Sequence, residues 1–259
     1  MFEFDINSLD LAPLWAWGLL FVRISALLHM LPGIGTDQVP IPLRFGLSFT
    51  LCFVLTTARG MTAPIPENVA QATMMIITEF MLGYLFGAIP ALILDGVAIA
   101  GQITDSSIGL ASANIIDPSL GQSVTILART QSLLGTVIFL SIGGHHVVLR
   151  EVLFPVGDSG LALLNSGPVA AEIFLDRFAQ AFELALTVSA PIMATVLLTQ
   201  FTLGLLTKFV PQLNVFIVSM PLSLLVGLYI VAYSLPELSL QIQNAYDYTE
   251  NIIENLRQR

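Results

Sequence analysis

The chain has 259 residues, of which 55% are hydrophobic and only 10% charged, and its formal net charge is −9. Soluble domains carry roughly 25% charged residues, so this composition belongs to a membrane protein. With nine Lys plus Arg and no basic cluster the chain does not bind nucleic acid. Its one cysteine, Cys52, lies in an apolar run, which excludes an intrachain disulfide framework or a Cys-based metal site and leaves a thiol that simply packs.

The N-terminus, Met1-Phe2-Glu3-Phe4-Asp5, is acidic where a cleaved signal peptide would be basic, so the first apolar segment is expected to be retained. Leu11–Leu31 reads as an apolar helix interrupted by Arg23 and His29. The breakers between Pro32 and Pro42 end it, and a second helix follows from about Pro42 to Ala58, with proline in its first turn, where it costs little. After the connector Arg59–Pro66, a third helix runs from about Glu67 to Ala100. Its 34 residues would reach about 51 Å, against roughly 30 Å of bilayer hydrocarbon, with Pro90 placed to kink it and Glu79 and Asp95 inside it.

The next stretch, Gly101–Ser123, interleaves Gly, Ser, Asn and Asp with isolated Ile and Leu. Gly109, Gly121 and Asp117-Pro118 favour turns, while Ile108, Leu110, Ile115, Ile116 and Leu120 prefer burial, so it reads as a packed, functional loop. Val124–Ile142 is a fourth helix carrying Arg129, ended by Gly143-Gly144-His145-His146, and Pro155–Pro168 is loop. A fifth helix over Val169–Phe209, about 61 Å long and bent at Pro191, is again too long for one untilted crossing. A short turn with Asn214 as cap connects it to an uncharged run ending at Pro236, and the pair reads as a tight antiparallel hairpin. Beyond Pro236, Leu238, Ile242, Ala245, Ile252 and Leu256 recur at helical spacing, which predicts an amphipathic helix at a membrane or partner surface.

Five ionisable residues, Arg23, Glu79, Asp95, Arg129 and Glu183, interrupt apolar helices. Charges at membrane depth are costly and suggest ion or proton relays; the plainer reading pairs them across helices or puts them outside the hydrocarbon. Adjacent His145 and His146 would point roughly 100° apart on a helix and lack an HExxH context, so they read as a polar helix end, not a metal site. No Gly-x-Ser-x-Gly occurs, and Cys52 has no neighbouring base, so neither an enzyme nor a cofactor site is expected. Gly83-Tyr84-Leu85-Phe86-Gly87 is a GxxxG pattern whose small-residue face is expected to meet another subunit.

The landmarks, in order, resemble the FliR family of flagellar type III export-gate proteins, similar to SctT of virulence secretion systems. The matching residues begin with Arg23, Pro32-Gly33-Ile34-Gly35, Val39-Pro40 and Arg44. Glu79-Phe80-Met81-Leu82-Gly83, Ala100-Gly101-Gln102-Ile103, Gly109-Leu110 and Asp117-Pro118 follow. Gly143-Gly144-His145-His146 and Pro211-Gln212-Leu213-Asn214-Val215-Phe216 complete the series, the last being the most specific; the family usually has Asn-Gly before the histidines.

The resemblance implies an all-α integral membrane protein, an array of kinked helical hairpins packed into a hetero-oligomeric export gate. It implies a FliP-like part over residues 1–167 including the central loop 101–123, a FliQ-like hairpin over 168–236, and an amphipathic C-terminal helix over 237–259. The expected partners are FliP-like, FliQ-like, FlhB-like and FlhA-like proteins, unfolded export substrates and membrane lipid, in the bacterial inner membrane at the flagellar basal body. By the same resemblance Ile108, Gly109, Leu110, Asn114, Ile115, Ile116, Asp117, Pro118, Leu120 and Gly121 form a pore plug. Pro211, Gln212, Asn214 and Phe216 form a turn that contacts the FlhB-like partner. The rival expectation is an ion-coupled secondary transporter of a small solute using Glu79, Asp95 or Glu183, but the inverted repeat such a protein often carries is not seen.

Overall fold

The breakers divide the apolar runs into helices, and the structure, a computed structural model, describes residues 11–35, 39–109, 126–152, 167–209 and 215–257. Within these lie α1 (Ala12–Met30), α2 (Ile41–Arg59), α3 (Val69–Ile108), α4 (Ile126–Ser141), α5 (Gly144–Val152), α6 (Gly167–Phe209) and α7 (Val215–Arg257). Every regular element among the described residues is an α-helix. Stretches of α1, α2, α3, α6 and α7 are long and apolar enough to cross a membrane. The chain is an all-α integral membrane protein. It forms two compact units, one of Met1–Ala91 with Gly143–Leu175, the other of Leu92–Ile142 with Asp176–Arg259; the boundary crosses α3 just past Pro90.

In the first unit α1 buries Leu20, Ile24, Leu27 and Leu28 and packs on α2. Trp17 meets Phe49 edge-on at 5.2 Å between ring centroids, and Phe21 lies 6.3 Å from Phe45. The chain leaves α1 through a turn in which Gly35 N–H donates to the Leu31 carbonyl at 2.7 Å. Gly33 holds φ at 82° there, a conformation that costs glycine little and other residues much. Cys52 is fully buried, as expected of a thiol that only packs.

α1 also packs on α3. A Cβ on Gly83 would strike the Arg23 carbonyl, and one on Gly87 would come within 2.8 Å of the Leu27 carbonyl. The GxxxG face expected to await another subunit is therefore taken by α1 of the same chain.

In the second unit the later half of α3 packs by the same device. A Cβ on Gly96 would lie 2.5 Å from the Ala181 carbonyl, and one on Gly101 would collide with the Ala128 backbone. Ile108, Leu127, Ile192, Val196 and Val231 form a core, with Ile108 filling the space where Gly227 lacks a side chain.

Two further expectations need correction. Gly101–Ile108, read as the start of a loop, is the last two turns of α3. Thr104, Ser106 and Ser107 donate to the carbonyls of Ala100, Gln102 and Ile103 at 2.8–2.9 Å, so hydroxyls that usually favour turns are satisfied inside the helix. The first part of the apolar C-terminal face, expected at a membrane or partner surface, packs within the unit instead, while the side chains of Ile252 and Leu256 lie outside the described set. Leu238, Ile242 and Tyr246 are buried, α7 lies on α4, and Tyr246 sits 4.9 Å from the Phe139 ring. α7 is continuous through Pro221 and Pro236.

Candidate functional site

Two polar fixtures on α3 join helices distant in sequence. The first is a buried ion pair. Arg23 Nε donates to Glu79 Oε2 at 2.5 Å, with side chains 2% and 0% exposed. Gly83, one turn beyond Glu79, lets α3 approach the α1 backbone closely enough for the short carboxylate to reach the guanidinium. Each charge then has its desolvation offset by the other, which an isolated charge at this depth would lack. Nearby, Arg44 Nε donates to the Val39 carbonyl at 3.0 Å, and its Nη1 lies 3.4 Å from His29 Nδ1, tying the first turn of α2 to the segment before it.

The second fixture was not singled out from sequence. Asp105, 1% exposed, accepts hydrogen bonds from Leu127 N–H at Oδ1 and Ala128 N–H at Oδ2, both at 3.3 Å. Those are first-turn donors of α4 that have no partner within their own helix, so a carboxylate from α3 caps α4 and meets the positive end of its dipole. Gly101 against Ala128 provides the close approach this requires. The available signal was an acid four residues after a glycine at the end of a long apolar run. The result is that both flanks of segment 110–125 are pinned: Ile108 is buried in the core, Gly109 turns the chain at φ 87°, and α4 is capped from α3.

Of the other residues singled out, Asp95, Arg129 and Glu183 are exposed within the second unit. Among the described residues Arg23 and Glu79 are the only two of the five interrupting charges joined to each other. Ile108 and Gly109 have the positions just given, while Leu110, Asn114, Ile115, Ile116, Asp117, Pro118, Leu120 and Gly121 lie outside the described residues. So do Pro211, Gln212 and Asn214; Phe216 is the second residue of α7, with its side chain outside the described set. The rings of His145 and His146 stand 4.0 Å apart, and no cluster of three His, Cys, Asp or Glu able to hold a metal occurs among the described residues. The two fixtures hold helices together; neither pairs a nucleophile with a base.

Comparison with known proteins adds to this geometry. The family model described as bacterial export proteins, family 1, matches residues 14–249. The chain is similar to flagellar biosynthetic protein FliR of Aquifex aeolicus, 28% identical over 88% of each chain, and to that of Bacillus subtilis, 28% identical over 97% of each. It is also similar to Yop proteins translocation protein T of Yersinia pestis, 29% identical over 90% of this chain and 91% of that protein.

Proposed function

The chain belongs to family 1 of the bacterial export proteins and is a membrane component of a type III export apparatus; we propose that it is the flagellar gate's pore subunit. The family match over residues 14–249 carries this reading. The relatives' names speak of flagellar biosynthesis and of translocation, and none supports a small-solute transporter.

In this proposal the chain sits in the bacterial inner membrane at the flagellar basal body and assembles with FliP-like, FliQ-like, FlhB-like and FlhA-like subunits. Unfolded substrates pass through the assembly, and no chemical step is assigned to the chain. Residues 1–167 form the FliP-like part, 168–236 the FliQ-like hairpin and 237–259 the amphipathic C-terminal stretch, which continues α7. Segment 109–121 closes the passage at rest, and the turn at Pro211–Phe216 meets the FlhB-like partner. The exposed apolar side chains support an assembly that needs lipid and neighbours: Phe45, Phe49 and Phe53 on α2, and Phe182, Leu198 and Phe201 on α6, are each at least 48% exposed.

Co-expression tests the proposal. Expressed alone, the chain should aggregate or be degraded, and FliP-like and FliQ-like subunits should rescue it as a stable hetero-oligomer. A monodisperse monomer in mild detergent would overturn it. Contact at the turn is tested separately by Phe216→Glu, which should weaken pull-down of the FlhB-like subunit; unchanged recovery removes the turn from that contact.

A further inference from the structure

α3 presents different chemistry to its surroundings on the two sides of Pro90. Between Ile76 and Tyr84 its exposed side chains are Ile76, Ile77, Phe80, Met81 and Tyr84. Between Leu92 and Ile108 they are Asp95, Gln102 and Ser106, every one polar. At 100° per residue, Gln102 and Ser106 each lie about 20° to either side of Asp95. The three therefore share an arc of about 40°, extending about 16 Å along the helix. Ile99 and Ile103, which lie to one side of this arc, are half-buried, and the opposite face carries the core residues Ile93, Val97, Ala100 and Ile108.

A carboxylate facing hydrocarbon is costly, and Asp95 has no ion pair among the described residues. Pairing with one cation on a neighbour would account for Asp95 alone. It would leave a primary amide and a hydroxyl, spread over three turns of the same arc, without a reason to be there. Ser106 Oγ donates to the Gln102 carbonyl at 2.9 Å and keeps its acceptor capacity, so it too is suited to water. Exposed polar groups that recur on one arc among apolar neighbours are what a wall beside water requires.

We propose that the arc Asp95–Gln102–Ser106 lines the water-filled passage of the gate, while the stretch of α3 from Met74 to Tyr84 faces lipid or apolar protein. This rests on the reading of the chain as an export-pore subunit. The occupant of the arc is water, together with whatever hydrated chain moves through it.

The test uses the assembled complex in nanodiscs, with the buried Cys52 replaced by alanine. Gln102→Cys, Ser106→Cys and, about 40° outside the arc, Ala98→Cys are introduced singly, beside Phe182→Cys and Leu198→Cys as exposed apolar controls. A charged thiosulfonate reagent that reacts only from water is applied to both faces. Thiols at 102 and 106 should react at least tenfold faster than the controls, with 98 intermediate; rates equal to the controls at every arc position that assembles overturn the proposal. Flagellar export is measured in the same strains. Export that survives deletion of the gene defeats the pore-subunit reading itself. Export lost on deletion, with unreactive arc thiols in an assembled complex, defeats only the arc.

Discussion

In its first half α3 meets α1 through a carboxylate and a guanidinium; in its second half it meets α4 through a carboxylate and two backbone N–H groups. Glycines permit both approaches, Gly83 in one case and Gly101 in the other. The difference lies in what is left behind when the carboxylate is lost. Loss of Glu79 strands a full positive charge in a buried position, whereas loss of Asp105 leaves two neutral donors at a helix start. Polar groups of equal burial should therefore contribute unequally, and the first half should be the more fragile.

The largest effect is expected from Arg23→Ala or Glu79→Ala, each costing about 3–5 kcal/mol because one buried charge loses its ion-pair partner. Thermal unfolding of the purified assembly, or its yield, would measure this. The double replacement Arg23→Met with Glu79→Leu should recover most of the loss, since no charge remains to be desolvated. Next comes overpacking: Gly101→Val and Gly83→Val should each cost about 1–3 kcal/mol or more, because the new side chain meets backbone that cannot swing aside. Gly46→Val, where a Cβ meets nothing within 4 Å, is the matched control and should stay within about 0.5 kcal/mol. Asp105→Ala follows at about 1–2 kcal/mol, with Asp105→Asn losing less because its amide oxygen still accepts one N–H. A loss at Asp105 as large as that at Glu79 would break the comparison. The smallest effect belongs to Thr57→Val on exposed α2, whose hydroxyl bonds only its own helix at the Phe53 carbonyl; a change within about 0.5 kcal/mol is expected.

The sequence and the structure part company for identifiable reasons. Helix existence was legible because Pro, Gly and Asn clusters bound long apolar runs, and α1, α2 and α6 begin and end close to where those clusters place them. The end of α3 was misread because Gly101, Thr104, Asp105, Ser106 and Ser107 have loop composition. Only tertiary context shows that the glycine admits Ala128 and that the hydroxyls are satisfied by carbonyls four residues back. Asp105 escaped notice for the same reason: the donors it caps are 22 and 23 residues away. The glycine face at Gly83 and Gly87 was recognised as a packing surface, but a GxxxG pattern does not say which helix fills it. The apolar positions Leu238 and Ile242 likewise announced burial without naming α4 as the cover.

In the function proposed above, an export passage is closed by the segment whose flanks are Ile108 and Gly109 on one side and the Asp105-capped start of α4 on the other. Shortening the chain between Gly109 and Gly121 leaves those anchors intact, so the hetero-oligomer should still assemble. Hydrophobic constrictions gate by excluding water, and losing one leaves a wetted hole. The decisive measurement is leakage of ions or a small dye in cells carrying that variant, alongside the yield of the complex. Normal yield with raised leakage is expected; an assembled complex as tight as the wild type would contradict closure by this segment.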